Sequence, residues 1–171
     1  RHRPMTGSLR AIWPWSRRPV IPTVRLHGVI GSVGLRGQGM TLASLEPVLA
    51  RAFAEKRAPA VALLINSPGG SPVQSSLIAG RIRQLAQEKK KQVLGFVEDV
   101  AASGGYWLAC AADEIFVDRS SILGSIGVVS AGFGFEDAIA RLGIERRLHS
   151  TGEHKGMLDP FRPERPEDVA M

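Results

Sequence analysis

Cysteine is almost missing from this chain. Of its 171 residues only Cys110 is one, which excludes an internal disulfide framework and a cysteine-rich zinc site. Aromatic residues are sparse, at 6%. Long apolar runs are missing as well. The uncharged stretches Val100–Ala112 and Ser120–Phe135 are rich in Gly, Ser and Ala. Neither approaches the roughly 18 apolar residues that a membrane-spanning helix needs. Acidic side chains are absent from residues 1–45, which carry seven basic ones (Arg1, Arg3, Arg10, Arg17, Arg18, Arg25 and Arg36). The net charge of +6 therefore belongs to a leader, because the rest of the chain holds 15 basic and 16 acidic groups. A basic leader on a neutral body argues against a broad nucleic-acid-binding face. Leu9, Ile12, Trp13 and Trp15 sit among its arginines, as in a tail resting on an anionic membrane surface or in a solvated terminus. The leader has no apolar stretch followed by small residues, so a cleaved secretory signal is not expected.

What is present reads as a globular chain, with 44% hydrophobic and 22% charged residues. We expect a flexible leader over residues 1–20 and one domain over residues 21–171. Val24–Ile30 alternates as a strand does, with Val24, Leu26 and Ile30 on one face. A glycine-rich loop, Gly31–Gly39, follows. Leu42, Leu45, Val48, Leu49, Ala52 and Phe53 recur at helical spacing, and Pro59 marks the exit. Val61–Ile65 is a continuous apolar run, the pattern of a strand covered on both faces. A second helix is predicted from Pro72, with Val73, Leu77, Ile78, Ile82 and Leu85 inward and Arg81, Arg83 and Glu88 outward. Lys89, Lys90 and Lys91 close it, where cations suit the negative helix end. Strands are predicted at Val93–Val97, Ile115–Val117, Ile126–Val129 and Arg146–His149. Short helices are predicted from Ser103 to near Ala112 and around Glu136–Leu142. Strands alternating with helices at this spacing indicate an α/β fold of right-handed β-α-β units. Arg165-Pro166-Glu167-Asp168 reads as another helix start, so the domain is expected to continue beyond Met171.

Two segments fall where an α/β sheet places its chemistry, beyond the C-terminal ends of strands. One is Asn66-Ser67-Pro68-Gly69-Gly70; the other is Ala101-Ala102-Ser103-Gly104-Gly105. Small neighbours let the backbone approach Ser103 closely, and paired glycines can turn their N–H groups toward a ligand. A serine opening a helix beside free amides suits an acyl-transfer nucleophile. The same residues also suit an N-cap and a turn.

Taken together, the motifs discriminate better. Leu64–Gly70, Asp99–Trp107 with Ala111–Asp113, Gly124–Val128, Ser150–Lys155 and Asp159–Pro163 occur in order over roughly residues 20–171. In this the chain resembles the signal peptide peptidase A family of serine peptidases. The resemblance implies the Clp-protease/crotonase-like α/β fold, a repeated β-β-α superhelix. It also implies an ATP-independent endopeptidase with a Ser–Lys dyad, cutting extended apolar peptides such as signal-peptide or membrane-derived remnants. The dyad maps onto Ser103 and Lys155, the lysine-orienting hydroxyl onto Ser125, and the oxyanion-binding amides onto Gly104, Gly69 and Gly70, with Gly70 favoured of the pair. No cofactor and no metal is implied. The resemblance implies a homo-oligomer whose active sites are shared between subunits. Relatives commonly carry an N-terminal membrane helix, and this leader departs from that pattern, so a bacterial-type cytoplasmic or peripherally membrane-bound placement is expected.

For a lysine to act as base, its pKa of about 10.4 must fall through desolvation or nearby positive charge. The segment around Lys155, with Gly156, Met157 and Leu158, is apolar enough to bury it in part. Among the histidines, His154 adjoins Lys155, His149 lies on a predicted strand, His27 alternates on the first strand and His2 is in the leader; none is expected to be the base. Cys110 is expected to be a small buried helix residue. Asp113 and Glu114, as neighbours, point apart, and a loop role is expected for both. A crotonase-type acyl-CoA enzyme is the alternative on the same fold and would need a carboxylate base, with Glu98 and Asp99 as candidates. A non-catalytic scaffold is the other.

Overall fold

The computed structural model describes residues 19–31, 39–152 and 155–169. The leader through residue 18 with His2, Trp13 and Trp15, most of the glycine-rich loop, and His154 lie outside the described residues. The elements run β1 (Thr23–His27), α1 (Leu42–Ala54), β2 (Ala60–Ser67), α2 (Pro72–Lys89), β3 (Gln92–Ala102), α3 (Gly104–Ala109), β4 (Glu114–Val117), β5 (Ile122–Gly124), α4 (Glu136–Arg141) and α5 (Pro166–Val169). Strands β1, β2, β3 and β4 pair in that order, all parallel, and β5 also pairs parallel with β3.

Strand β2 is the spine. Val61, Leu63, Ile65 and Ser67 on one of its faces are wholly buried against the helices, together with Val24, Leu26 and Val93 of the neighbouring strands. The helices supply Leu49, Phe53, Ile78, Ile82 and Leu108 to the same core. On the other face Leu64 is only half-buried, and Phe96 stacks on Phe116 with ring centroids 5.0 Å apart. The expectation that β2 is covered on both faces therefore holds for its first four residues only.

Local chemistry explains where the elements begin. Thr41 caps α1, its hydroxyl accepting from the Ser44 N–H while the Ser44 hydroxyl accepts from the Thr41 N–H. Ser71 caps α2, and Pro72 takes the first helical position, where a missing N–H costs nothing. Lys90 ends α2 in the left-handed conformation, φ 52°. The two long helices are tied by Arg81, which forks onto Glu46 and holds that carboxyl below its usual range, chiefly through the hydrogen bond.

Several expectations are corrected. Val48, Val73 and Leu77 are exposed, at 46%, 66% and 46%. On α2 the buried stripe is Ser75, Ile78, Ala79, Ile82, Leu85 and Ala86, a face on which Ser75, Ala79 and Ala86 rather than Val73 and Leu77 accompany the large residues. Cys110 is exposed rather than buried: α3 buries Gly104, Gly105, Leu108 and Ala109, and the cysteine, as its C-cap, falls off that stripe. The expected strand at Ile126–Val129 is replaced by β5, just upstream. Gly124 (φ 117°) and Ser125 (φ 51°) turn the backbone out of extended geometry there. Arg146–His149 carries no regular structure.

Strand β3 makes the arrangement of the site possible. Ile65 pairs with Val97, but Ser67, two residues on, pairs with Ala101, four residues on. The extra length of β3 bends its tail away from β4, which pairs with Leu94–Val97, and onto β5, which pairs with Val100–Ala102.

The chain divides into two compact units, Arg1–Gly127 and Val128–Met171. In the second, Phe135 stacks on Phe161 with centroids 5.5 Å apart, and Arg146 reaches the Asp159 carboxylate at 3.2 Å. Among the described residues no helix is long and apolar enough to cross a membrane.

The turn after α3 depends on Asp113. Its carboxylate accepts from the Val93 N–H at 2.7 Å and from Arg83 at 2.8 Å, and the Val93 bond foremost holds its pKa below the usual carboxylate range. Asp113→Ala should lower stability by about 1 kcal/mol in chemical denaturation, since solvent screens this half-exposed group. Because the folded pKa is the lower one, the contribution is present above an unfolded value near 4 and is lost as pH falls through the folded value. Wild-type protein should lose more stability than Asp113→Asn between pH 6 and pH 3 (roughly the span of that titration).

Candidate active site

The exits of β1, β2, β3 and β5 meet at one corner, and backbone contacts hold them together. The Ile30 N–H donates to the Gly69 carbonyl and the Ser71 N–H to the Ile30 carbonyl, both at 2.8 Å, which lays the Gly69-Gly70 turn along the chain leaving β1. The Ser103 N–H donates to the Gly124 carbonyl at 2.8 Å, fastening the end of β3 to β5. Gly69 presses on the other side of Ser103. A Cβ placed on Gly69 would lie 2.8 Å from both the Ala102 carbonyl and the Gly104 nitrogen, and 2.9 Å from the Ser103 Cβ.

Ser103 itself is bent. Its φ of 52° and ψ of −119° match the first central position of a type II′ turn, which glycine normally occupies. A residue with a side chain there costs on the order of 1–3 kcal/mol. The side chain makes no capping hydrogen bond to α3, so a role as an N-cap does not explain it. Instead, the sharp turn from strand to helix presents a half-buried hydroxyl at the helix mouth. Gly104 and Gly105 behind it are glycine by necessity: a Cβ on Gly104 would collide with Ser75 Oγ of α2, and one on Gly105 with the Ser67 carbonyl.

Donors are available beside the hydroxyl. The first-turn amides of α3, Gly104 foremost, have no acceptor within the helix. The two glycines of the turn differ. Gly69 is buried, and its N–H donates to Ser67 Oγ at 3.1 Å. Gly70 is exposed at φ 145°, and its N–H has no acceptor among the described residues. Ser125 directly follows the carbonyl that anchors Ser103, exposed, with φ 51°.

Carboxylates lie nearby but are engaged. His27 Nε2 lies 2.6 Å from Glu98, and the Asn66 side-chain amide donates to Asp99 at 2.7 Å, so both acids brace the bent part of β3. Of the expected site residues, Ser103, Gly104, Gly69, Gly70 and Ser125 are brought together in the first unit. Lys155 belongs to the second, where it is exposed in a turn with its N–H directed at the Gly152 carbonyl, 3.5 Å away. Ser67, whose hydroxyl holds the glycine turn, had no role assigned from sequence; the one available signal was a serine preceding Pro-Gly-Gly at a strand exit.

Comparison with known proteins places the chain in a family. The model of peptidase family S49 matches residues 85–171, half of the chain and all of the Ser103 segment. The chain belongs to peptidase family S49. Within this serine peptidase family it is 32% identical to the chloroplastic serine protease SPPA of Arabidopsis thaliana over 159 residues, covering 90% of this chain and 23% of that protein. A protein of Brucella melitensis described as a Na(+)/H(+) antiporter, NhaA, is 55% identical over 170 residues, which cover 96% of this chain and 23% of that protein. The chain thus spans about a quarter of these relatives. Among solved structures, a point mutant of the membrane-bound stomatin-specific protease 1510-N shares the fold, with TM-score 0.52, 19% identity, and coverage of 68% of this chain and 52% of that one. The S49 chain accordingly has the Clp-protease/crotonase-like α/β fold expected from its motifs.

The bend at Ser103 has a direct consequence for stability. Ser103→Gly and Ser103→Ala both remove the hydroxyl, but only glycine fits the backbone. The glycine variant should be the more stable of the two by about 1 kcal/mol in denaturant titration. Equal stability would mean the backbone at Ser103 is unstrained.

Proposed function

We propose that the protein hydrolyses peptide bonds without ATP, with Ser103 as nucleophile and Lys155 as its general base. The observation that carries the reading is the backbone of Ser103, bent as for glycine at a strand-to-helix turn, between the free amides of Gly70 and Gly104. In this reading neutral Lys155 takes the Ser103 proton as Oγ attacks the substrate carbonyl carbon. The Gly70 and Gly104 N–H groups receive the oxyanion, and Gly69 supplies the close approach. The leaving amine takes the proton from Lys155, and water then releases the acyl group. Ser125 orients the amine of Lys155 without adding a carboxylate that would keep it charged.

A base lysine needs desolvation, and Lys155 is exposed in the single chain. We therefore take the complete site to form in a homo-oligomer, where a neighbouring subunit covers Lys155 or exchanges it. Extended apolar peptides are the proposed substrates. Trp107, Ile122, Leu123 and Ile126 are exposed beside the Ser103 turn, and the short strand β5 offers backbone groups to an extended chain. The acyl-CoA alternative is disfavoured by Glu98 and Asp99, whose carboxylates are occupied by His27 and Asn66. Ion transport is not carried over from the antiporter, since the matched stretch is under a quarter of that protein and is the stretch shared with the proteases.

Peptide hydrolysis by the full-length protein beside Ser103→Ala and Lys155→Ala, matched for oligomeric size, tests the reading. Both variants should lose on the order of 10³-fold or more in kcat. Activity surviving Lys155→Ala would remove it as the base, and inactive wild-type protein over varied peptides would favour a scaffold.

A further inference from the structure

Resting on that reading, we propose that Ser67 is a positioning residue for catalysis, shaping the oxyanion site by holding the glycine turn in one orientation. Among the described residues of the first unit, Ser67 is with Ser75 a polar side chain wholly buried, at 0% exposure, and it ends β2 just before the turn. Its hydroxyl works in both directions. It donates to the Gly28 carbonyl at 2.7 Å and accepts from the Gly69 N–H at 3.1 Å. One side chain therefore ties the chain leaving β1 to the turn leaving β2, and the bond to Gly69 is buried. Its main chain is equally committed, because Gly105 of α3 lies against the Ser67 carbonyl and Cβ.

The geometry separates the two glycines by chemistry. A peptide N–H that already donates inside the protein is not available to a substrate oxyanion, so Ser67 removes Gly69 from the set of donors. The peptide plane before Gly69 is pinned by that bond, and the plane after it by the Gly69 carbonyl, which accepts from Ile30. With both planes fixed, the next N–H, that of Gly70, has one direction left. An oxyanion donor helps only if it is aimed before charge develops, because a turn that must reorganise during the reaction gives back part of the stabilisation. Without the Ser67 hydroxyl, the buried Gly69 N–H loses its partner, the tie to the Gly28 carbonyl is gone, and the turn can rotate to satisfy that N–H elsewhere.

Ser67→Ala and Ser67→Cys in the full-length protein test this, read by kcat, KM and the reaction of Ser103 with a fluorophosphonate. For Ser67→Ala, kcat should fall by about 10- to 100-fold with KM unchanged within about twofold. The rate of fluorophosphonate labelling should fall in parallel, while its end point stays at one adduct per chain, reporting an intact fold. Ser67→Cys, which keeps the volume and a weak donor and acceptor, should lie between alanine and wild type, and serves alone if the alanine variant does not fold. Wild-type kcat and labelling rate in either variant would overturn the inference while leaving the assignment of Ser103 standing. A merely structural role is the result if the end point drops with the thermal midpoint while the remaining molecules react at the wild-type rate; that too overturns it. Wild-type protein that neither hydrolyses peptides nor accepts the probe overturns the reading beneath the inference, and the inference with it.

Discussion

The approach of the Gly69 backbone to the Ala102–Gly104 backbone governs this corner of the molecule. This approach leaves no room for a Cβ on Gly69, which would strike the Ala102 carbonyl, and α2 leaves none on Gly104, which would strike Ser75 Oγ. Nearly every unusual feature nearby follows from that constraint. Strand β3 takes additional residues to reach the right point. Glu98, half-buried, and Asp99, exposed, are bound across the strands by His27 and Asn66. Ser103 accepts a backbone conformation suited to glycine, and the Gly124 carbonyl holds it there.

Strain of this kind persists only where the surroundings determine the backbone more strongly than the residue does. Here those surroundings are the wholly buried face of β2, the small-residue face of α3 and the buried stripe of α2, which carries Ser75 where an apolar pattern would place a larger side chain. The core thus acts at the site through backbone placement. Small residues in α2 and α3 let the helices come close, and close helices fix the strand-to-helix turn. An S49 chain built this way holds the Ser103 hydroxyl and the Gly70 and Gly104 amides in register, with the nearby carboxylates of Glu98 and Asp99 occupied by His27 and Asn66. That is compatible with a lysine base, which a nearby carboxylate would keep protonated.

Much of this was legible in the residues. The alternation in β1, the apolar run of β2 and the helical spacing of α1 and α2 come from burial patterns with fixed periods, and they place those elements to within a few residues. The Ser-Gly-Gly and Pro-Gly-Gly segments were recognisable because close backbone approach demands glycine. The misassignments share a different cause. Val73 and Leu77 fit an inward stripe by spacing, yet the helix turns the face of Ser75, Ile78, Ala79 and Ile82 to the core, a choice made by its neighbours. β5 was displaced because the left-handed conformations of Gly124 and Ser125 end it early. Cys110 was read as buried from its type, although α3 is too short to cover it. Ser67 escaped notice because its value lies in two hydrogen bonds to backbone groups far apart in sequence or hidden in a turn.

The central claim is that Ser103 is the nucleophile, and locating a covalent adduct tests it most directly. Full-length protein treated with a fluorophosphonate, digested and sequenced by mass spectrometry should carry the label on Ser103, with none on Ser67, Ser71, Ser75 or Ser125. Denatured protein should carry none. A label on another serine, or native protein that stays unmodified while a control serine hydrolase reacts, would contradict the account.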